Sequence, residues 1–268
     1  MSQTVSIVTI NRNNRSGLIQ TIDSVIREKL SYRSIQYIVV DGLSTDGSVE
    51  YLKSQSEHID RLIIENDSGI FHAMNKGLNL AQGDYVLFLN SGDYLVNPLF
   101  SKIFNHYQDA DILYGDCYFV TDPKFKQLYH HPENLSLLFF LNHSLNHQST
   151  FIKTSLNKQY PYNEDFKLAS DWEFFLRRIV FENATIRHIA LPVCYYDLSG
   201  QSQDAENNRL LNLEKQTVLD SLHIDRILAD YGTLNSLYRN GLLKYFQRKQ
   251  FGKWRLLFAR KLLSLLSS

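Results

Sequence analysis

Residues 87–95, LFLNSGDYL, decide how the rest of the chain is read. A run of strand-forming apolar residues breaks into Asn90, Ser91, Gly92 and Asp93, so a buried strand ends in small polar side chains and one carboxylate. The full strand reads YVLFLN (85–90), and the same design recurs on both sides of it. VSIVTI (5–10) runs into Asn11, IQYIVVD (35–41) ends on Asp41, RLIIEN (61–66) leads to Asp67, and ADILYGD (110–116) closes on Asp116. Helical stretches alternate with these strands: Ser16 to about Leu30, STDGSVEYLKSQ (44–55), a segment through Met74 and Leu78, and one around Phe100 and Phe104. Continuous Val/Ile/Leu strands separated by helices predict an α/β fold, a mostly parallel sheet covered on both faces. Ligands of such sheets sit beyond the carboxyl ends of the strands.

Turn chemistry explains any one of those terminal Asp or Asn residues. Five strand ends carrying carboxylates or amides to one edge predict an acidic cleft, suited to a divalent cation or to hydrogen-bond donors rather than to bare phosphate. INRNNRSG follows the first strand where a dinucleotide fold would carry GxGxxG, and GxxxxGK[ST] is absent. VVDGLSTDGS superficially matches phosphatase motifs but lacks a paired nucleophile pattern.

Composition bounds the class. A chain of 268 residues accommodates one large domain, or one domain with an appendage. Its 44% hydrophobic and 21% charged residues argue against disorder. Cys117 and Cys194 form no CxxC and suit a reducing compartment. No secretory signature opens the sequence and no apolar run reaches the ~18–20 residues of a membrane span, so the expectation is a cytosolic protein. A net charge of zero hides an asymmetry: residues 231–268 hold eight basic residues and no acidic ones, leaving 20 basic against 28 acidic before them.

Six motifs, in order, carry a resemblance: SIVTINRN (6–13), VVDGLSTDGS (39–48), ENDSGIFHAMNKGLNLAQGDYVLFLNSGDYL (65–95), DILYGD (111–116), HQSTFIK (147–153) and ASDWEFFLRR (169–178). Over roughly residues 5–200 the chain resembles the family 2 glycosyltransferases of the GT-A type. The resemblance implies a GT-A domain over 1–230, with a nucleotide-binding half to about 116 and an acceptor half over about 117–230. It implies a metal-assisted, inverting transfer of a sugar from a nucleotide donor. Asp41 stands where the family carboxylate accepts N3–H of uracil, which favours a pyrimidine because adenine has no matching ring N–H. Thr9 and Asn11 would line the base and ribose pocket; a strand-favouring Thr and a turn-forming Asn explain them equally well. Asp67 joins the donor residues, unless it or Ser68 merely caps the next helix. Lys76 on that helix would reach the diphosphate, although exposed helix lysines are commonly just solvated.

The family motif Asp-x-Asp-Asp is reduced here to Asn90-Ser91-Gly92-Asp93, with Asp93 aligned to its last carboxylate. A Mn²⁺ or Mg²⁺ ion bound with a nucleotide sugar takes most of its ligands from phosphate and water, so Asp93 with help from Asn90 suffices. For the base, the resemblance indicates Asp171. Ser170-x-x-Glu173 has capping-box spacing, which gives Glu173 a structural task and leaves Asp171 free, above a buried stripe of Trp172, Phe175, Leu176 and Ile179. His147, Gln148 and Asp116 fall on the acceptor side. DLSGQS (197–202) resembles a loop that closes over the donor, with Ser199 and Ser202 as phosphate contacts, or is an ordinary turn.

Residues 231–268 read as a separate tail in which Trp254, Leu257, Phe258, Leu262 and Leu265 recur at helical spacing among Lys253, Arg260 and Lys261. A basic amphipathic helix fits an anionic membrane surface, while a packed helix or a homodimer interface fits the apolar stripe. Nucleic acid is not expected, since the body is acidic. Together these readings give a peripheral enzyme at the inner face of a cell membrane, using a UDP-sugar and a saccharide or polyprenyl-linked acceptor in surface polysaccharide synthesis. The alternatives are a catalytically weakened sugar-nucleotide-binding or scaffold protein, for which the thinned Asn90–Asp93 motif argues, and a nucleotidyltransferase, whose Gly-rich basic first loop is missing.

Overall fold

The computed structural model describes residues 3–96, 98–107, 109–122, 125–198 and 205–239. The chain divides into two compact units, Met1–Lys215 and Gln216–Ser268.

In the first half the elements alternate as the sequence predicts: β1 (Val5–Asn11), α1 (Arg15–Ser31), β2 (Ile35–Asp41), α2 (Ser48–Ser54), β3 (Arg61–Ile64), α3 (Ile70–Leu80), β4 (Tyr85–Phe88), β5 (Tyr94–Leu95) and α4 (Phe100–His106). The second half holds β6 (Ile112–Asp122), β7 (Phe125–Tyr129), α5 (Leu137–Asn142), β8 (Thr150–Lys153), α6 (Thr154–Gln159), α7 (Ser170–Phe175), β9 (Ile186–Asp197), α8 (Ala205–Ser221) and α9 (Asp225–Arg239). A single sheet runs β3-β2-β1-β4-β8-β6-β9-β5, with β7 paired to β6.

The β3-β2-β1-β4 portion is parallel, and every residue of β1 is buried. Its alternating side chains serve two layers. Ile7, Val39 and Leu87 face Leu18, Ile22 and Val25 of α1 and Phe100 and Phe104 of α4. On the other face α3 lies so close that a Cβ on Gly77 would stand 2.3 Å from Val8 Cγ1. One buried carboxylate ties the helices of the first layer together: Glu28 of α1 accepts from the backbone N–H groups of Leu99 and Phe100, capping α4 at 2.7–3.1 Å. The carboxylate thereby satisfies the donors of a helix N-terminus whose own N-cap residue, Leu99, makes no side-chain cap bond.

The expected fifth parallel strand is present as β6, but it does not lie beside β4. The antiparallel β8 is inserted between them, pairing Leu87 with Phe151 and Phe151 with Leu113. The reason is tertiary rather than local: Phe151 is wholly buried and packs edge-on against both Phe100 and Phe104. Strand β9 then pairs in parallel with β6 through a register shift around Asp116. Among the described residues no helix is long and apolar enough to cross a membrane. Of the expected basic tail, residues 240–268 lie outside the described residues, as do Ser199 and Ser202.

Candidate active site

The turn at Asn90–Asp93 is held by α1. Gly92 has φ +107, a conformation that favours glycine, and a Cβ on Gly17 of α1 would meet Gly92 Cα at 2.8 Å. The Thr21 hydroxyl accepts from Gly92 N–H and donates to the Asp93 carbonyl at 2.7 Å. This clamp brings Asp93 into the sheet end, where it is 4% exposed and its Oδ1 accepts from Asp197 N–H at 3.0 Å. Burial pushes the Asp93 carboxyl up to about 7, while the Asp197 N–H and the Gln148 side chain oppose that rise. Asn90 stands beside it, with an amide Oδ1 that is buried and unpartnered among the described residues.

Three segments far apart in the chain meet at this turn. Asn90 Nδ2 lies 3.1 Å from His147 Nε2, and His147 Nδ1 lies 3.0 Å from Asp171 Oδ2. An amide nitrogen only donates, so Nε2 accepts from it, Nδ1 carries the ring proton, and that proton is donated to Asp171. Asp171 Oδ1 also accepts from Trp172 N–H. These groups, with Gln148 and Asp197, line a cleft of about 600 Å³. A pocket of about 190 Å³ adjoins it and shares His147, Gln148, Leu168, Asp171 and Tyr196, so Asp171 faces both.

The residues expected on the nucleotide side form a second cluster. Asp41 is fully buried; Oδ1 accepts from Ser44 N–H, and Oδ2 accepts from the Ser44 hydroxyl and from Asn11 Nδ2 at 2.7 Å. The Asn11 Oδ1 beside it is buried and unpartnered among the described residues. Asp67 folds over Gly42, where an added Cβ would stand 2.3 Å from Asp67 Oδ2, and lies 3.8 Å from Arg12.

Other expected residues go elsewhere. Thr9 is fully buried, bonding the Leu89 carbonyl and the Tyr37 hydroxyl inside the sheet rather than lining the cleft. Lys76 is tied to Glu65 and the Asn66 carbonyl at 2.7–2.8 Å. Neither Asp67 nor Ser68 caps α3, whose N-cap is Gly69. Asp116 is not in the cleft. Its carboxylate accepts from His131 N–H and faces His130 Nδ1 and His188 Nε2 at 2.6 and 2.9 Å. Burial raises its proton affinity, but the bonds to the two imidazoles outweigh this and hold the carboxyl below its ordinary range.

The capping box is also absent. Ser170 makes no cap bond, and Glu173 pairs with Arg177 at 2.8 Å. Instead Glu214 of α8 accepts from the backbone N–H groups of Lys167, Leu168 and Ala169 at 2.8–2.9 Å, fixing the approach to α7 and hence Asp171. The buried stripe of Trp172, Phe175, Leu176 and Ile179 is as expected. Tyr196 and Asp197 join the cleft without standing out along the chain, although DLSGQS begins on that very aspartate. The thiols of Cys117 and Cys194 are buried and pushed up, the former to about 12, so neither is a nucleophile.

Comparison with known proteins gives the family and the fold. The family model described as glycosyl transferase family 2 matches residues 5–177. A Mycobacterium tuberculosis protein named as an uncharacterized glycosyltransferase is 33% identical over 214 residues, covering 76% of this chain and 78% of the relative. A Mycobacterium bovis PGL/p-HBAD biosynthesis glycosyltransferase is 27% identical, covering 73% and 77%. Among solved structures, S. aureus TarS 1-349 in complex with UDP-GlcNAc superimposes with a TM-score of 0.62 at 19% identity, over 78% of this chain and 65% of that one. A Pyrobaculum calidifontis mannosyltransferase with GDP-Man and Mn²⁺ gives 0.53 at 16% identity, over 73% and 57%. The mixed sheet and its helices are thus the GT-A fold, and the chain is an enzyme that belongs to glycosyl transferase family 2.

Proposed function

We propose that this enzyme transfers a sugar, with inversion, from a uridine diphosphate sugar to a saccharide or lipid-linked saccharide acceptor. The observation that carries the reading is Asp171, a carboxylate held by His147 at the junction of the cleft and its side pocket. There it is suited to take the proton of an acceptor hydroxyl. The hydroxyl oxygen attacks the anomeric carbon, the bond from that carbon to the β-phosphate oxygen breaks, and UDP departs with the electron pair. The His147 Nδ1 proton on Oδ2 fixes the orientation of the carboxylate. Asp41 and the unpartnered Asn11 Oδ1 supply acceptors for a base N–H, while Asp67 and Asn90 complete the donor side. Gln148 steadies Asp93, and Asp116 shapes the acceptor side only indirectly, through its histidines.

The donor set also suits a divalent cation. Asp93, Asp197 and the orphaned Asn90 Oδ1 are hard oxygens on one cleft wall, although no preformed cluster of three His, Cys, Asp or Glu ligands exists among the described residues. Asp93 and Asn90 would hold Mn²⁺ or Mg²⁺ together with phosphate oxygens. When bound, the cation neutralises charge on the departing diphosphate.

The relatives' role in PGL/p-HBAD biosynthesis supports a glycolipid or surface-glycan context. The eight basic residues of 231–268 support attachment to an anionic membrane at its cytoplasmic face. Truncation after Tyr231 should release the protein from anionic liposomes at low salt without loss of UDP binding. Nucleotide sugars screened by thermal shift with Mn²⁺, followed by nucleotide release with and without acceptor, test the main reading. Stabilisation by GDP- but not UDP-sugars would sink the donor assignment.

A further inference from the structure

The pocket beside Asp171 contains a cation that the transfer step itself does not use. Lys215 of α8 lines it, half-buried, with its ammonium 5.0 Å from the Trp172 ring centroid. That ring is fixed, since Trp172 is 2% exposed and its Nε1 donates to the Phe140 carbonyl at 2.8 Å. Among the described residues Lys215 has no ion-pair or hydrogen-bond partner. The neighbouring carboxylate, Glu214, is already occupied by the backbone of 167–169. Asp171 is the one acidic residue lining the pocket among the described residues, and it is held by His147. Burial pushes the Lys215 ammonium below its usual range, against the pull of Asp171. A partly dehydrated ammonium bonds an anion more strongly than one in water.

We propose that Lys215 makes this pocket a subsite for an acceptor sugar that carries an anionic group, a phosphate or a carboxylate, near the hydroxyl presented to Asp171. The inference rests on the reading of Asp171 as the base. Leu168, Leu211 and the Tyr196 ring give the pocket apolar surface for a sugar, Asp171 takes the hydroxyl, and Lys215 takes the charge. A neutral acceptor would leave the ammonium desolvated and unpaired, which is costly.

Calorimetry on UDP-saturated protein tests this, because UDP blocks phosphate binding in the donor cleft. The probes are α-D-glucose 1-phosphate, methyl α-D-glucuronide and neutral methyl α-D-glucoside. At least one anionic sugar should bind about tenfold or more tightly than the neutral one, and which one does identifies phosphate or carboxylate as the charge. Lys215→Met should abolish that preference and Lys215→Arg should keep it, with UDP affinity reporting that each variant is folded. Equal affinity for all three sugars, or a preference that survives Lys215→Met, overturns the proposal. Asp171→Asn separates the two readings. It should retain the charge preference while losing nucleotide release, whereas unchanged release would remove the base assignment and leave the charge preference standing on its own measurement.

Discussion

In the first half of the sheet every pairing is parallel and each crossover is a helix: β1, β2 and β3 lie side by side in chain order, as in Val5 with Ile35, and β4 returns to the other edge of β1. In the second half β4 pairs with a strand some seventy residues later, Tyr85 with Lys153, and does so antiparallel. The nucleotide-side cluster of Asn11, Asp41 and Ser44 comes from two adjacent strand ends. The proposed catalytic group of Asn90, His147 and Asp171 comes from three segments without local pairing. The proposed donor-binding residues are therefore a product of strand order, while the proposed base is positioned by long-range closure.

Asp171→Asn should break the comparison most sharply on the catalytic side. Turnover should fall by roughly 10²–10⁴-fold, the span a positioned base supplies, with UDP affinity and Tm retained. A variant with near wild-type nucleotide release would show that another group removes the proton.

The second-half sheet also carries a pH response of its own. His131 is 3% exposed, and burial pushes its imidazole down to about 4. An unfolded imidazole titrates near 6.5, so the stability held by neutral His131 is complete above about pH 6.5 and is lost as pH falls towards 4. The loss is on the order of 3 kcal/mol, since each pH unit between those two values contributes about 1.4 kcal/mol. The lowered Asp116 carboxyl adds a further loss as pH falls below about 4. Denaturant melts of wild type and His131→Asn across pH 4–7 measure it; an identical slope in both would assign the loss elsewhere.

On the donor side, Asp41→Ala should weaken UDP binding by about 1–3 kcal/mol, the order for a bond to a charged group, and loosen the Asn11–Ser44 loop. Unchanged UDP affinity in the folded variant would reduce Asp41 to a loop anchor. The smallest effect belongs to Glu173→Gln. Its partner Arg177 is a partly exposed i,i+4 pair, worth under about 1 kcal/mol, so both Tm and turnover should barely move. A large loss of turnover in that variant would mean that Glu173, not Asp171, is the base.

The fold's first four strands, their helices and the polar strand ends are legible because their information is local: apolar runs, turn residues and helix periodicity lie within a few residues of each other. Asp41, Asp93 and Asp171 are legible for the same reason, each standing inside a recognisable motif. The capping-box spacing at Ser170 misleads because the N-cap falls on Ala169, whose carbonyl takes the Glu173 N–H, while the Glu173 side chain turns to Arg177. Thr9 and Lys76 look free along the chain and are spent on Leu89, Tyr37, Glu65 and Asn66 once it folds. By itself the sequence determined the sheet's parallel half and the family motifs, and it singled out Asp41, Asp93 and Asp171 as the candidate carboxylates. Only the tertiary structure decided that β8 intrudes beside β4, that His147 bridges Asn90 to Asp171, and that Lys215 lines the pocket beside Asp171, because burial and hydrogen-bond partnership are properties of what the rest of the chain brings near.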